Sequence, residues 1–395
     1  MVEIEFSVME NNAGDAERLR PLLDSFEKQF RIHVNLVGVP WYKGWAEVFK
    51  FGIFGHGPDL SSIGTTWVGS LASMQALRPF TDQEVQALGG AEAFFEANWK
   101  SGFLPSDLTP WAIPWLGDAL VLHYWKDTFE KAGIHDIQAA FASDAALVET
   151  LKKLQLGGYP YPLALTTGDD ATILHETAHW MWNAGGDFIS ADRQQVAFDQ
   201  PAAMEGLRNY FSLRPFISPD SFSAHKAQDM YINREAAVQV AGPWLGMIGR
   251  QLRPDLYEQL GIAQLPGKAY VGGCSFVIWK YSIHPQEAFE LARFLSFQPI
   301  RFPVSLHDHE VPVRREALHA PVTQNDDFNR TYMKTMQNGN SFPTMRLWGS
   351  IEDKLIATIA HIWAERYTNP GEDLDACLHR HLDPLARRLN IVLGN

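Results

Sequence analysis

His175-Glu176-Thr177-Ala178-His179 is a literal H-E-x-x-H. On a helix its two imidazoles lie at i and i+4 on one face, where they could share a zinc ion, and the glutamate between them could act as a base. A catalytic zinc also needs a third ligand and an open coordination position. The extended form of the motif wants Gly at 182 and His at 185, whereas this chain has Trp182 and Gly185, with Glu205 as a remote substitute. The stretch is therefore expected to be a solvated helix face without metal. His307-Asp308-His309-Glu310 could chelate an ion loosely, but a polar loop explains it equally well. The two cysteines, Cys274 and Cys377, have neither CxxC nor finger spacing, so neither a structural zinc site nor a disulfide scaffold is expected.

These residues must be positioned by a chain of 395 residues, long enough for two or three packing units. It is 46% hydrophobic and 20% charged, which gives ample surface to bury. Its 33 basic and 46 acidic residues leave a formal charge of −13. Phosphate-backbone binding needs clustered cations, so nucleic acid is a poor partner. No stretch approaches the roughly 18–20 unbroken apolar residues of a membrane span. Aromatics are the outlier, with 13 Trp.

Periodicity supplies the elements. Val2, Ile4, Phe6 and Val8 alternate with polar residues as a strand does. Ala16, Leu19, Leu22, Leu23, Phe26 and Phe30 then fall on one helical face. A second strand through Ile32, Val34 and Leu36, a helix over 45–54 and a short strand over 60–63 follow. Strand–helix alternation implies parallel pairing, and ligands on such sheets lie beyond the strands' carboxyl ends. The turns 10–14 and 62–67 would thus be neighbours at a candidate site. Further on, strands are predicted over 119–125, 236–240 and 275–279. Helices are predicted over 127–132, 144–156, 170–183, 201–211, 285–295, 349–365 and 374–389. Prolines near 110, 266 and 312 mark the best boundaries.

Several blocks then occur in a telling order: Pro58-Asp59-Leu60 with Gly64-Thr65-Thr66-Trp67-Val68; Ile113-Pro114-Trp115-Leu116-Gly117-Asp118 with Leu122, Tyr124, Asp127, Phe129 and Gly133; Ala241-Gly242-Pro243-Trp244; Leu265-Pro266-Gly267 with Gly272-Gly273; and Val311-Pro312-Val313-Arg314-Arg315-Glu316-Ala317. Together they resemble the bacterial extracellular solute-binding proteins of carbohydrate ABC importers, of the family 1, maltose/trehalose/oligosaccharide-binding type. The resemblance implies an α/β fold, a two-lobed periplasmic-binding-protein type II clamp with a mainly parallel sheet flanked by helices in each lobe. One lobe would comprise 1–109 plus 264–316, the other 110–263 plus 317–395. Hinge segments are expected near 108–114, 260–267 and 312–318.

A pyranose has apolar C–H faces and a rim of hydroxyls, so a site for it wants flat aromatics and a few polar groups. The aromatic candidates are Trp67 and Trp244, which match the family's turn blocks, Trp115 at the expected lobe boundary, Trp41 after Pro40 at the end of the second strand, and Trp348. Glu10 and Asp118 are candidate acceptors, Asn12 and Thr66 neutral partners, and Arg346 a donor. Gly272 and Gly273 would let backbone approach a ring. Trp45, Trp99, Trp125, Trp279 and Trp363 read as packing.

The resemblance implies a monomeric, non-enzymatic binding protein for a mono- or oligosaccharide, without cofactor or metal, that delivers its ligand to the membrane permease of an ABC importer and does not itself insert in the membrane. The alternative is a carbohydrate-active hydrolase or an H-E-x-x-H zinc hydrolase; the former needs two carboxylates across a cleft. No signal segment precedes the first strand pattern, so a periplasmic or extracellular lipid-anchored location is expected from the resemblance alone.

Overall fold

The computed structural model describes residues 2–10, 13–104, 108–246, 253–298 and 311–394. Asn12 and the tract 307–310 lie outside them. The chain divides into two compact units, Met1–Asp118 with Val271–Gly349, and Ala119–Tyr270 with Ser350–Asn395.

In the first unit the period-two pattern becomes a sheet with two apolar faces. Strands are numbered along the chain: β1 (Val2–Glu10), β2 (Ile32–Pro40), β3 (Leu60–Gly64), β4 (Leu77–Arg78) and β5 (Ile113–Ala119). Four strands of the second unit take numbers 6 to 9, and β10 (Val271–Trp279) and β11 (Val311–Pro312) complete the first sheet. Its order is β11-β5-β10-β3-β1-β2, with β4 on β10. Ile4, Phe6 and Val8 of β1 and Phe276 and Ile278 of β10 face one core, capped by Leu22, Leu23 and Phe26 of the helix Arg20–Phe30. Met9, Val277 and Trp279 face the other, against Val48, Val68 and Leu71. Phe26 is fully buried, and removing such a side chain from water is worth about 1.5–3 kcal/mol.

β1 pairs parallel with β2, from Val2 opposite Ile32 to Glu10 opposite Pro40, and parallel with β3. β10 runs antiparallel to both β3 and β4. The second unit holds β6 (Val121–Trp125), β7 (Leu163–Ala164), β8 (Val238–Ala241) and β9 (Leu260–Ala263), in the order β7-β8-β6-β9. There β6 is antiparallel to β8 and to β9, and only β7 and β8 are parallel. The α/β class therefore holds, but the sheets are mixed, not mainly parallel. Parallel pairing follows from a crossover helix between successive strands; β10 enters from the second unit without one.

The unit boundaries also differ from the proline-marked ones, at 118/119, 270/271 and 349/350. The strand expected over 119–125 is β6, Val121–Trp125; Ala119 instead ends β5, and Leu120 lies between the two. Residues 317–349 stay with the first unit: the helix Asp327–Asn338 packs on β11, Ser70 Oγ donates to the Arg346 carbonyl at 3.2 Å, and a Cβ on Gly69 would meet Met345 N at 2.7 Å.

Candidate functional site

Three parallel strands end at one edge of the first sheet, β1 at Glu10, β2 at Pro40 and β3 at Gly64. β2 has no loop after it. Pro40 is extended (φ −61°, ψ 134°) and Trp41 begins the helix Trp41–Phe54, four residues earlier than the apolar spacing predicts. β3 passes directly into a 3-10 turn, Thr65–Trp67. These two junctions bring Trp41 and Trp67 together, ring centroids 5.6 Å apart and planes at 56°. Trp45, one turn along the helix, lies 6.0 Å from Trp67 and 5.3 Å from Phe49. All three indoles are half-buried, and Tyr42 beside them is 81% exposed. Gly44 makes the approach feasible, because a Cβ there would stand 2.7 Å from Trp67 Cη2 and 2.9 Å from Met9 Sδ. A partly exposed group of indoles offers C–H-accepting faces of the kind a sugar ring stacks on.

Trp45 was read from the sequence as packing. It does pack against the second apolar face, as do Trp41 and Trp67, and its position four residues after Trp41 on the same helical face also brings it to the cluster.

Glu10 is buried at the end of β1, and its carboxylate accepts from Gly14 N at 3.1 Å and Ala16 N at 3.3 Å. It closes the turn into the 3-10 segment Asp15–Leu19. Thr66 is half-buried beside Trp67. Asp118, also half-buried, ends the first of the two segments of its unit, and its backbone N lies beside Gly273. Gly273 has φ +117°, and any Cβ there would run into the Leu116 carbonyl. The Gly272 carbonyl accepts from Asn98 Nδ2 at 2.9 Å. Arg346 is exposed in the same unit. Trp244 is half-buried in the second unit, two residues past Gly242 at the end of β8.

Two of the predicted tryptophans are core residues. Trp115 is 2% exposed, stacked on Phe276 at 4.5 Å and met edge-on by Phe6 at 6.2 Å. The alternation of β5 turns it into the apolar face with Ile113, so it presents no ring to a ligand. Trp348 is fully buried against Phe342, centroids 4.8 Å apart.

The H-E-x-x-H segment is helical as expected, within Thr172–Asn183, but it is not solvated. Glu176 is 2% exposed, and its carboxylate accepts from Thr166 N at 2.8 Å and Thr166 Oγ1 at 3.3 Å. Burial, reinforced by the charge of Asp170, pushes its pKa well above the carboxylate range. His179 is 1% exposed, with Nδ1 3.1 Å from the Lys268 carbonyl and Nε2 3.2 Å from Asp144 Oδ1. His175 lies on the ring of Tyr270. The glutamate and His179 are thus spent on holding the helix to its neighbours. The helix is buried on nearly every side, with Ile173, Leu174, Ala178, Trp180, Met181 and Trp182 in the core, and the polar motif between them is drawn in too.

An open cavity of about 1100 Å³ lies wholly in the second unit, lined by Tyr159, Tyr161, Phe222, Lys226, Asp229 and Arg234 among others. None of the sequence candidates lines it. Its Arg234 is already engaged, with Nη2 donating to Asp127 at 2.6 Å and the guanidinium over Trp125. Among the described residues, no helix is long and apolar enough to cross a membrane.

Known proteins of the same kind share both sequence and fold with this chain. It is 22% identical over 371 residues to a protein of Brucella abortus (strain 2308) that bears the name "Putative binding protein", covering 89% of this chain and 86% of that one. A solute-binding protein of an ABC transporter from Thermotoga lettingae, solved bound with alpha-D-tagatose, superposes with a TM-score of 0.84 at 19% identity over 100% of both chains. The maltose-bound MalE3 of T. maritima gives 0.82 at 19% identity, over 99% of this chain and 100% of that one. The family model described as bacterial extracellular solute-binding protein matches residues 10–298. With that match spanning most of its length, the chain belongs to the bacterial extracellular solute-binding proteins.

Proposed function

We propose that this chain binds a mono- or oligosaccharide reversibly, alters no bond in it, and hands it to the permease of an ABC importer. The observation that carries this reading is the half-exposed indole cluster of Trp41, Trp45 and Trp67 at the carboxyl edge of β1, β2 and β3. Family membership supplies the solute-binding role, and the tagatose- and maltose-bound relatives of the same fold supply the ligand class. Thr66 and Asp118 are the polar groups best placed to meet hydroxyls in the first unit, with Trp244 as the candidate ring of the second. Glu10, engaged with the turn it closes, is proposed as a support of the cluster. The chain acts as a monomer outside the cytoplasmic membrane, in the periplasm or on a lipid anchor.

The non-enzymatic reading is supported by the fate of the one catalytic motif in the sequence, whose glutamate is bound to Thr166 and whose His179 is bound to Lys268 and Asp144. The test is calorimetry and thermal shift against tagatose, maltose and longer maltodextrins, with product analysis after incubation. A saturable 1:1 heat that raises the midpoint, with the sugar recovered intact, is expected. The reading falls if no sugar binds, or if one is cleaved.

A further inference from the structure

The last two helices of the chain, Trp348–Thr368 and Leu374–Leu393, bring three different metal-ligating side chains together. Cys377 and His381 are four residues apart and share one face of the second helix. Glu365 comes from the first. Glu365 Oε2 lies 2.5 Å from His381 Nε2 and 3.8 Å from Cys377 Sγ, and the three donor atoms are all within 4.8 Å of one another. The other carboxylate oxygen, Oε1, accepts from Arg380 Nη2 at 2.6 Å. Arg380 also holds Glu372 Oε1 at 2.6 Å, while Glu372 Oε2 is buried with no hydrogen-bond partner among the described residues. The thiol itself is fully buried.

We propose that Glu365, Cys377 and His381 bind a zinc ion that staples the two C-terminal helices, with water as the fourth donor. The chemistry is that of the donor set. Thiolate, imidazole and carboxylate together suit borderline-soft Zn²⁺, not Mg²⁺ or Ca²⁺. Arg380 acts as the outer partner that a ligating carboxylate usually has, holding one oxygen so that the other faces the thiol and the imidazole. A surface ion pair would account for Glu365 with Arg380 and His381; it has no use for a buried sulfur beside the same oxygen. Tetrahedral bonds of about 2.0–2.3 Å set donors roughly 3.4 Å apart, so the half-exposed His381 ring need only draw back by about 1 Å. On binding, the Cys377 S–H proton and the proton that His381 Nε2 shares with Glu365 both leave to solvent, and the imidazole ligates through the bared nitrogen. The sequence gives no finger spacing because only one thiol takes part.

The metal-free full-length chain titrated with Co²⁺ alone tests this. A thiolate-to-cobalt charge-transfer band with tetrahedral d–d bands, saturating at one equivalent and displaced by Zn²⁺, is expected. It should vanish in Cys377→Ser and His381→Ala, persist in Cys274→Ser, and need roughly 10–100-fold more metal in Arg380→Ala. Zn²⁺ should raise the unfolding midpoint of the natural chain and not that of His381→Ala. Because Cys377 is buried and its variant could unfold, the His381 variant and the natural chain decide the matter independently. No charge-transfer band in the natural chain, or unchanged affinity in folded His381→Ala, overturns the assignment.

Discussion

His175 lies flat on Tyr270, ring centroids 4.1 Å apart and planes within 4° of parallel. The stack seals one side of the helix whose next residue, Glu176, is buried on Thr166. Burial drives the two groups oppositely: it lowers the His175 pKa from 6.5 to about 4 and raises that of Glu176 well above 4.5. Burial thus disfavours the charged form of each in the folded protein.

For Glu176 the folded state binds the proton more tightly than the unfolded chain. Its contribution is fully present below about pH 4.5 and is lost as pH rises through the raised value. Glu176→Gln, neutral at every pH, should match the natural protein near pH 5 and exceed it in stability by a margin that widens toward pH 9. Urea melts at several pH values measure the margin. A constant gap would show that the carboxyl is ionised throughout.

His123 gives the opposite slope. It is fully buried in β6, and burial lowers its pKa from 6.5 to about 3 despite hydrogen bonds to the backbone of Gly242 and Ala241. The unfolded chain takes up the proton below about pH 6.5 and the folded one does not, so stability falls between pH 6.5 and 3 by up to about 1.4 kcal/mol per pH unit from this one ring. His123→Gln should lower stability at pH 7 yet flatten the acid limb of the curve. An acid limb as steep as before would assign the effect to other groups, His175 first.

Gly273 is the position most sensitive to a single methyl. With φ +117° and the Leu116 carbonyl where a Cβ would go, Gly273→Ala should cost more than about 1 kcal/mol by displacing β10 from β5. Denaturant midpoints check this, and an unchanged midpoint would mean the backbone there relaxes freely.

Glu10 and Trp67 separate support from contact. Glu10→Ala removes the acceptor of two backbone N–H groups and should lower stability by about 1–3 kcal/mol. Trp67→Ala should leave the fold standing and weaken sugar binding by about 1–3 kcal/mol. Calorimetry on both, beside their melts, distinguishes the roles; sugar affinity unaltered in Trp67→Ala would remove the ring from the site.

Much of this was legible in the residues. The alternation of Val2, Ile4, Phe6 and Val8 and the following apolar helix stripe are local signals, and β1, β2 and β3 pair as they imply. What could not be read is set by distant partners. Trp115 sits in a turn block by sequence and in the core by structure, because the strand around it extends from 113 to 119 and stacks it on Phe276, 161 residues away along the chain. The polar look of His175-Glu176-Thr177-Ala178-His179 suggested solvent, yet Thr166, Lys268 and Asp144 satisfy it inside. The start of the helix at Trp41 was hidden by Pro40, which serves as its N-cap without a capping side chain.

That direct passage from β2 through Pro40 into Trp41 leaves no slack between sheet and indoles. Under the proposed role of these indoles, their main chain is fixed by the sheet before a solute arrives, so little backbone entropy remains to be lost on binding. Discrimination among solutes then falls, under that role, to rotation of the rings and to the polar groups beside them.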